Sequence, residues 1–350
     1  MFTDKLNKER FIRTMAVLII IFLCAAVIIV VENLLISFIL AFVINYLLTP
    51  FVNNLERRGF TRQSGSIIVF LCLIVFITIY LSWFIPNSGR YLESFLNELP
   101  KYGKGTIILA RDLEKFFNGL LDGAYTVNFS QTLDVMFADF SKEFMDKLPD
   151  HISSTATILL LAPFFAFFMM AEGRFIMQKL MILVPNNLFE MALTLQYQIN
   201  NQVGGFIRAR LMEAGIVGFI VWIGLLFIGF PYAILLAVIA TLTNLIPYIG
   251  PIIGMVPAIL IALVNGASSM EIIMVLSVYF FAQLVDIVFI IPFVVAKIVD
   301  LHAGIVVVAI IGGAQFGGII GMIISIPVVS ILKLTSKEIY DYYLQETSNN

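Results

Sequence analysis

A six-residue motif that interrupts helices occurs twice in the C-terminal part of this chain. Residues 250–255 read Gly-Pro-Ile-Ile-Gly-Met, and residues 317–322 read Gly-Gly-Ile-Ile-Gly-Met. Each copy lies in the middle of a long apolar stretch, where glycine adds backbone freedom and proline lacks an N–H donor. Broken backbone at membrane depth is tolerated only where it is buried in protein or lines a water-filled cavity. Matching breaks in an internal repeat therefore point to the substrate site of a transporter.

The composition predicts an all-α polytopic membrane protein. Of its 350 residues, 60% are hydrophobic and 13% are charged, whereas charged residues make up about 25% of a soluble domain. The lack of a basic cluster argues against a nucleic-acid partner, whereas the net charge of −2 is uninformative on this point. Two cysteines, Cys24 and Cys72, both in apolar spans, provide neither a disulfide framework nor a metal pattern.

Eight apolar segments follow one another along the chain, and about 20 residues suffice to cross a bilayer. They are residues 15–31, 34–52, 67–86, 153–171, 212–229, 233–264, 272–296 and 303–332. Basic residues cluster before the first segment and after the second, which by the positive-inside rule predicts a cytoplasmic N-terminus. Arg174, Lys179, Arg208 and Arg210 are interpreted as topological and surface charges on the same side, and the C-terminus is also predicted to be cytoplasmic.

One polar region, residues 87–150, has ten acidic and seven basic residues and is predicted to lie on the outer side. Apolar residues recur there at steps of three and four from Phe129 to Leu148, which indicates an amphipathic helix. The predicted organisation has five parts: N-terminal transmembrane helices (1–86), this insert (87–150), a fourth transmembrane helix with a cytoplasmic linker (151–211), a transport core with an internal repeat (212–335) and a tail (336–350).

The two stretches that contain the motif are too long for one straight crossing. Residues 233–264 and 303–332 would form helices of about 45–48 Å at 1.5 Å per residue, against a hydrocarbon core of about 30 Å. Each is either a bent single crossing or a re-entrant hairpin. Hairpins would place Lys297 on the cytoplasmic side and would make the two copies inverted repeats, which favours the hairpin interpretation.

The breaks supply the candidate substrate path. Asn244 and Tyr248 offer donors one helical turn apart, and Gln315 is the polar side chain of the second break. The alternative is that these groups only satisfy the backbone of the hairpins or pack helices tightly. The predicted path residues are Asn244, Pro247, Tyr248, Gly250, Pro251, Gly254, Gln283, Gln315, Gly317, Gly318 and Gly321.

Asp286 is the candidate for coupling to H⁺ or Na⁺. It is the only acid well inside a late span, and Gln283 lies three residues before it on the same helix face. An intramembrane carboxylate is by default a functional hypothesis. The alternative is a hydrogen bond to a neighbour such as Asn244 or Tyr279. A second group, Lys297, Asp300 and His302, is interpreted as an interfacial charge cluster.

Enzymatic signatures are missing from the sequence. It has no His-Glu-x-x-His, no Gly-x-Ser-x-Gly and no phosphate-binding Gly-x-x-x-x-Gly-Lys-Ser/Thr motif. The chain is therefore predicted not to be an enzyme and to need no cofactor or metal.

Four segments resemble the autoinducer-2 exporter family. They are Asn-Leu-Ile-Pro-Tyr-Ile-Gly-Pro-Ile-Ile-Gly at 244–254, Gly-Phe-Pro-Tyr-Ala-Ile-Leu-Leu-Ala at 229–237, Lys-Ile-Val-Asp-Leu-His at 297–302 and Gly-Gly-Ile-Ile-Gly-Met-Ile-Ile-Ser-Ile-Pro at 317–327. The resemblance implies a transporter of the bacterial cytoplasmic membrane that exports an autoinducer-2-like signal. It also implies a homo-oligomer, a pentamer in this fold, and some relatives of this kind are sodium- or lithium-proton antiporters.

The sequence thus predicts a secondary transporter that exports a small polar or amphipathic solute, coupled to H⁺ or Na⁺, with the two breaks meeting near the membrane midplane. Its partners are the solute, the ion and the lipid bilayer. A sodium(lithium)/proton antiporter is the first alternative. A membrane scaffold or receptor that acts through the 87–150 insert is the second.

Overall fold

The structure is a computed structural model that describes residues 33–120, 130–136, 139, 148–247, 249–295 and 301–348, with scattered positions between 15 and 31. Tyr248, Lys297 and Asp300 lie outside the described residues. The same holds for most of the predicted amphipathic helix of the insert, of which residues 130–136 are helical.

The predicted all-α fold class is confirmed, because every regular element in the described ranges is a helix. The first four are α1 (Leu34–Arg57), α2 (Arg62–Leu120), α3 (Leu148–Met181) and, after a 3₁₀ turn at Asn186–Leu188, α4 (Phe189–Ile228). The next are α5 (Ala233–Asn244), α6 (Gly250–Val264), α7 (Ser269–Val285), which continues as a π-helix over Asp286–Val295, and α8 (Ala303–Ser348).

Among the described residues, six helical stretches are long and apolar enough to cross a membrane by length and composition, and the last of them is interrupted at Gly317 and Gly318. They are Leu34–Arg57, Arg62–Ile79, Ser153–Met181, Phe189–Ile228, Ser269–Pro292 and Gly304–Asp341. Six of the eight predicted apolar segments correspond to them. The segment 233–264 is instead divided between the short helices α5 and α6, and the segment 15–31 is described only in part.

The chain forms two compact units. One consists of residues 1–75, 150–207 and 327–350, and the other of residues 76–149 and 208–326. The boundaries fall inside α2, α4 and α8 and in the first turn of α3, so these four helices contribute to both units. The five-part organisation given above stays a prediction.

The first unit is held together by apolar packing and by one carboxylate between two arginines. Its core side chains come from α1, α2 and α3: Leu48, Val52, Val69 and Met170. Glu56 pairs with Arg62 at 3.3 Å and with Arg174 at 3.0 Å. The guanidinium of Arg62 also donates to the backbone carbonyl of Met170 at 2.8 Å, which ties the start of α2 to α3.

The second unit contains a helical hairpin formed by α5 and α6. Pro247 lies in the turn between them and Pro251 is in the first turn of α6, where a missing N–H costs nothing. A Cβ at Gly254 would lie 3.1 Å from Cα of Ala240, so the two helices are in backbone contact. At 1.5 Å per residue the 12-residue α5 and the 15-residue α6 are about 18 and 22 Å long, too short to cross a bilayer.

The second motif also reverses the chain. Within α8 the backbone leaves helical geometry at Gly317 and Gly318, and Gly318 has a φ of 56°. A Cβ at Gly321 would lie 2.9 Å from the carbonyl carbon of Gly313. Residues eight apart in one straight helix are about 12 Å apart, so the segments before and after the break fold against each other. Both motifs therefore form helical hairpins, and their re-entry into a bilayer stays a prediction.

Residues 95–102 of α2, called the polar arm below, belong to the second unit and contact the turn after α6. Lys101 Nζ donates to Oδ1 of Asn265, in the turn after α6, at 2.8 Å. The Tyr102 hydroxyl donates to Glu98 Oε2 at 2.7 Å, and its ring stacks on Phe95. The hydrogen bond from Tyr102 lowers the pKa of the Glu98 carboxyl below its ordinary value, whereas burial raises the pKa of Tyr102.

Candidate functional site

A cleft of about 490 Å³ lies in the second unit beside the first hairpin. Four helices, α4 to α7, line it with Val217, Val221, Ala240, Asn244, Pro251, Ile252, Met255, Ile273, Leu276, Ser277, Tyr279, Phe280, Ala282 and Gln283. Its volume falls within the range of about 300–1,000 Å³ that is typical of small-molecule sites. Most of the lining side chains are apolar, and four of them are polar.

Two of these polar side chains are buried without a partner. Asn244 is 1% exposed and Tyr279 is 7% exposed. Neither the two polar atoms of the Asn244 amide nor the Tyr279 hydroxyl has a hydrogen-bond partner among the residues that the structure describes. Most buried polar side chains in proteins are hydrogen-bonded, so two unpartnered groups on residues that line the cleft mark it as a candidate binding site.

A buried arginine holds the end of α5 next to the cleft. Arg210 donates from Nη2 to the carbonyl of Asn244 at 2.6 Å and from Nε to the carbonyl of Leu245 at 3.3 Å. The last carbonyls of a helix have no partner within the helix, and the guanidinium supplies donors for two of them. Arg210 also forms a salt bridge with Glu213, one turn further along α4.

Two carboxyl groups face each other beyond this arginine. Glu213 is 1% exposed and Asp286 is 2% exposed, and the two side chains interact directly. Gln283 Nε2 donates to Asp286 Oδ2 at 3.4 Å. Asp286 begins the π-helix that follows α7, and such segments are frequent at functional sites. The cluster thus combines two acids with one guanidinium in a water-poor interior.

The first break and the acidic span lie next to each other, and the role of their residues in a substrate path stays a prediction. Asn244, Pro251 and Gln283 line the cleft, and Asp286 lies one turn beyond Gln283. Gly250, Gly254 and Pro247 belong to the same hairpin, where the two glycines allow α6 to approach α5. The alternative of a hydrogen bond between Asp286 and Asn244 or Tyr279 is not realised, because the side chain that donates to Asp286 is Gln283 and the polar atoms of Asn244 and Tyr279 have no partner among the described residues.

Residues of the second hairpin are not among those that line this cleft. Gln315, Gly317 and Gly318 are exposed at its tip, and Gly321 packs against Gly313. Their place in a substrate path stays a prediction. His302 is exposed and accepts a hydrogen bond from the N–H of Gly304 at 3.2 Å. Its predicted cluster partners lie outside the described residues.

The interpretation of Arg210 as a surface charge is wrong, and Asp286, predicted to be the only acid well inside a late span, is joined by a second buried acid, Glu213, at the start of another span. Arg210 is 8% exposed and Glu213 is fully buried. The signal for both was present in the sequence: two opposite charges three residues apart, at the start of a long apolar stretch. Such a pair lies on one helix face and can neutralise itself. No group of three or more potential metal ligands occurs in the described part of the chain.

Comparison with known proteins agrees with this architecture. The family model for the AI-2E family transporter matches residues 15–341. The chain is 24% identical to "Putative transport protein YueF" of Bacillus subtilis, covering 91% of this chain and 89% of that protein. It is 25% identical to "Putative transport protein YrrI" of the same organism, covering 87% and 86%. It is also 25% identical to "Putative permease PerM" of Escherichia coli, covering 93% and 94%.

Proposed function

The chain belongs to the AI-2E family of transporters, and from that premise we propose that it is a secondary transporter whose solute binds in the cleft beside the first hairpin. The solute is small and polar or amphipathic, and by family resemblance it is an autoinducer-2-like signal that is exported. The observation that carries the proposal is the pair of buried, unpartnered polar side chains on the cleft wall, Asn244 and Tyr279.

The first hairpin supplies a movable wall for the cleft. Both of its helices are too short to cross a bilayer, so the turn between them ends at membrane depth. Arg210 joins α4 to the last carbonyls of α5. A change in the charge around Arg210 would therefore strengthen or weaken the two hydrogen bonds that hold the turn in place. The second hairpin is built on the same motif. In this proposal the two hairpins move together, as the two halves of the repeat rock against each other.

The coupling ion of this transporter is a proton, which the carboxyl groups of Glu213 and Asp286 bind and release. With Arg210, Glu213 and Asp286 all charged, the cluster would carry a net charge of −1. A buried charge without a partner is costly, so one proton shared between the carboxyls gives the favoured neutral state. Loss of that proton leaves a negative charge beside Arg210, and this exchange is the step that a proton gradient drives.

Transport in proteoliposomes tests the proposal. A panel of candidate solutes is assayed with the purified chain, with and without a pH gradient, and autoinducer-2 is included. We expect the gradient to accelerate the flux of at least one solute. Asp286→Asn should abolish that acceleration, whereas Asp134→Asn, which changes an exposed acid of the polar insert, should not. Flux that stays gradient-dependent in Asp286→Asn contradicts the coupling role.

A sodium(lithium)/proton antiporter is the second candidate, because the paired carboxyls offer oxygen ligands as well as proton sites. The same proteoliposomes separate the two. Proton flux that starts on addition of Na⁺ or Li⁺, without any organic solute, and that is lost in Asp286→Asn would favour the antiporter. Proton flux that needs the solute would favour the solute transporter.

We further infer a multi-pass location in the bacterial cytoplasmic membrane with both termini on the cytoplasmic side, and assembly into a homo-oligomer. The six apolar stretches and the family support the membrane location. The orientation follows from the basic residues around the first two spans. The oligomer follows from the family resemblance.

A further inference from the structure

We propose that the cleft recognises an uncharged amphipathic molecule at two points, through hydrogen bonds to the side-chain amide of Asn244 and to the hydroxyl of Tyr279. The inference rests on the proposed function and specifies its solute: one that carries a hydrogen-bond donor and an acceptor close together on an otherwise apolar body. Primary amides, lactams and hydroxyketones have this pattern.

The two side chains form a built site because both are buried on residues that line the same cleft. Their polar atoms lie just behind its wall, so a ligand reaches them once the side chains turn toward the cleft. Each is more than nine-tenths buried, each lines the cleft, and they come from different helices, α5 and α7. The Asn244 amide offers both a donor and an acceptor, and the Tyr279 hydroxyl can act as either. No residue that the structure describes uses these atoms. A ligand with an adjacent donor and acceptor would satisfy both side chains at once.

The remaining lining excludes charged solutes. None of the described side chains on the cleft wall is charged, and the cation nearest to Asn244, Arg210, is engaged by Glu213 and by two backbone carbonyls. An ion that enters an apolar cavity loses its hydration without gaining a partner. Ser277 adds little to the polarity, because its hydroxyl already donates to the carbonyl of Ile273 at 2.7 Å.

The position of Asn244 connects this site to the charged cluster. Asn244 lines the cleft, and its backbone carbonyl accepts a hydrogen bond from Arg210 at 2.6 Å. A ligand bound to the amide thus contacts a residue that Arg210 holds. Solute binding and proton exchange would then act on the same helix end, as coupled transport requires.

Four probes of similar shape test the recognition: benzamide, benzoate, benzamidinium and ethylbenzene. Their equilibrium binding to the full-length protein in detergent micelles is measured, with protein-free micelles as the partition blank. We expect benzamide to bind and both ions to bind at least about tenfold more weakly, since an unpaired buried charge is costlier than one lost neutral hydrogen bond. Ethylbenzene should show no dependence on the polar side chains.

Variants then locate the site. Tyr279→Phe and Asn244→Leu should each weaken benzamide binding by about two- to tenfold, the range for one neutral hydrogen bond. Ser277→Ala is the matched control, because it removes a cleft hydroxyl that is already engaged, and it should leave the affinity unchanged. Tyr279→Phe removes a hydroxyl that has no partner among the described residues, so the thermal unfolding midpoint of this variant should not fall.

Three results would overturn the inference: no benzamide binding up to its solubility limit, equal affinity for benzamide and the ions, or unchanged affinity in both Tyr279→Phe and Asn244→Leu. These results are distinct from a failure of the proposed function. If benzamide binds as expected but no solute of the panel is transported, the recognition stands and the transport proposal fails. If transport is active and neither variant alters solute selectivity, the recognition fails alone.

Discussion

A methyl group added at Gly313 should separate the two legs of the second hairpin, and the same change one residue earlier should not. A Cβ at Gly313 would lie 2.7 Å from the carbonyl carbon of Gly321 and 2.9 Å from Cβ of Ser325. Carbon atoms at their optimal separation are about 3.5–4.0 Å apart. The first neighbour is backbone and cannot rotate away, so the legs must move. A Cβ at Gly312 would meet nothing within 4 Å.

The comparison of Gly313→Ala with Gly312→Ala isolates the contact. Both changes gain about 1 kcal/mol of helix propensity, and this gain cancels between neighbouring positions of one helix. The difference is the cost of overpacking, typically about 1–3 kcal/mol. We therefore expect Gly312→Ala to be neutral or stabilising. Gly313→Ala should be less stable than that control by about 1–3 kcal/mol, which is roughly 5- to 150-fold in the unfolding equilibrium constant.

Unfolding of the purified full chain by SDS in mixed micelles, followed by far-UV circular dichroism, provides the measurement. The half-inactivation temperature of transport in proteoliposomes is the second readout, because it does not require two-state unfolding. Equal stability of the two variants would refute the hairpin argument. In a single bent crossing, residues 313 and 321 lie about 12 Å apart, and both methyl groups would be free of contact.

Two further variants test the buried arginine and the polar arm. Arg210→Met should destabilise the protein by about 3–5 kcal/mol, the usual cost of removing one partner of a buried ion pair, whereas Arg58→Met in an exposed turn should change the unfolding midpoint little. The pKa of Glu98 is lowered in the folded state, so its stabilising contribution is present above its ordinary pKa and is lost as the pH falls through the folded-state value. Tyr102→Phe removes the main cause of this shift, and it should lower the thermal midpoint more near pH 7 than at pH 3. An equal loss at both pH values would contradict that role for the hydrogen bond.

The candidate site was only partly predictable from the sequence. Asn244, Pro251 and Gln283 could be found because they lie at a break or within an apolar span, where polarity is unusual. Tyr279 entered only as a neighbour of Asp286, since nothing in its local pattern distinguishes it from an ordinary aromatic side chain of a span. Its burial on the cleft wall depends on α4, α5 and α6, which are remote from it along the chain.

Periodicity, composition and the repeated motif by themselves determined that the chain is helical and membrane-spanning, and that two segments must break near their middles. These properties are local, because they depend on backbone freedom and on how many consecutive residues avoid water. Whether Arg210 is a surface charge or a buried one depends on which helix ends beside it. Only the tertiary structure decided this, by bringing the carbonyls of Asn244 and Leu245 and the carboxyl of Glu213 to the same guanidinium.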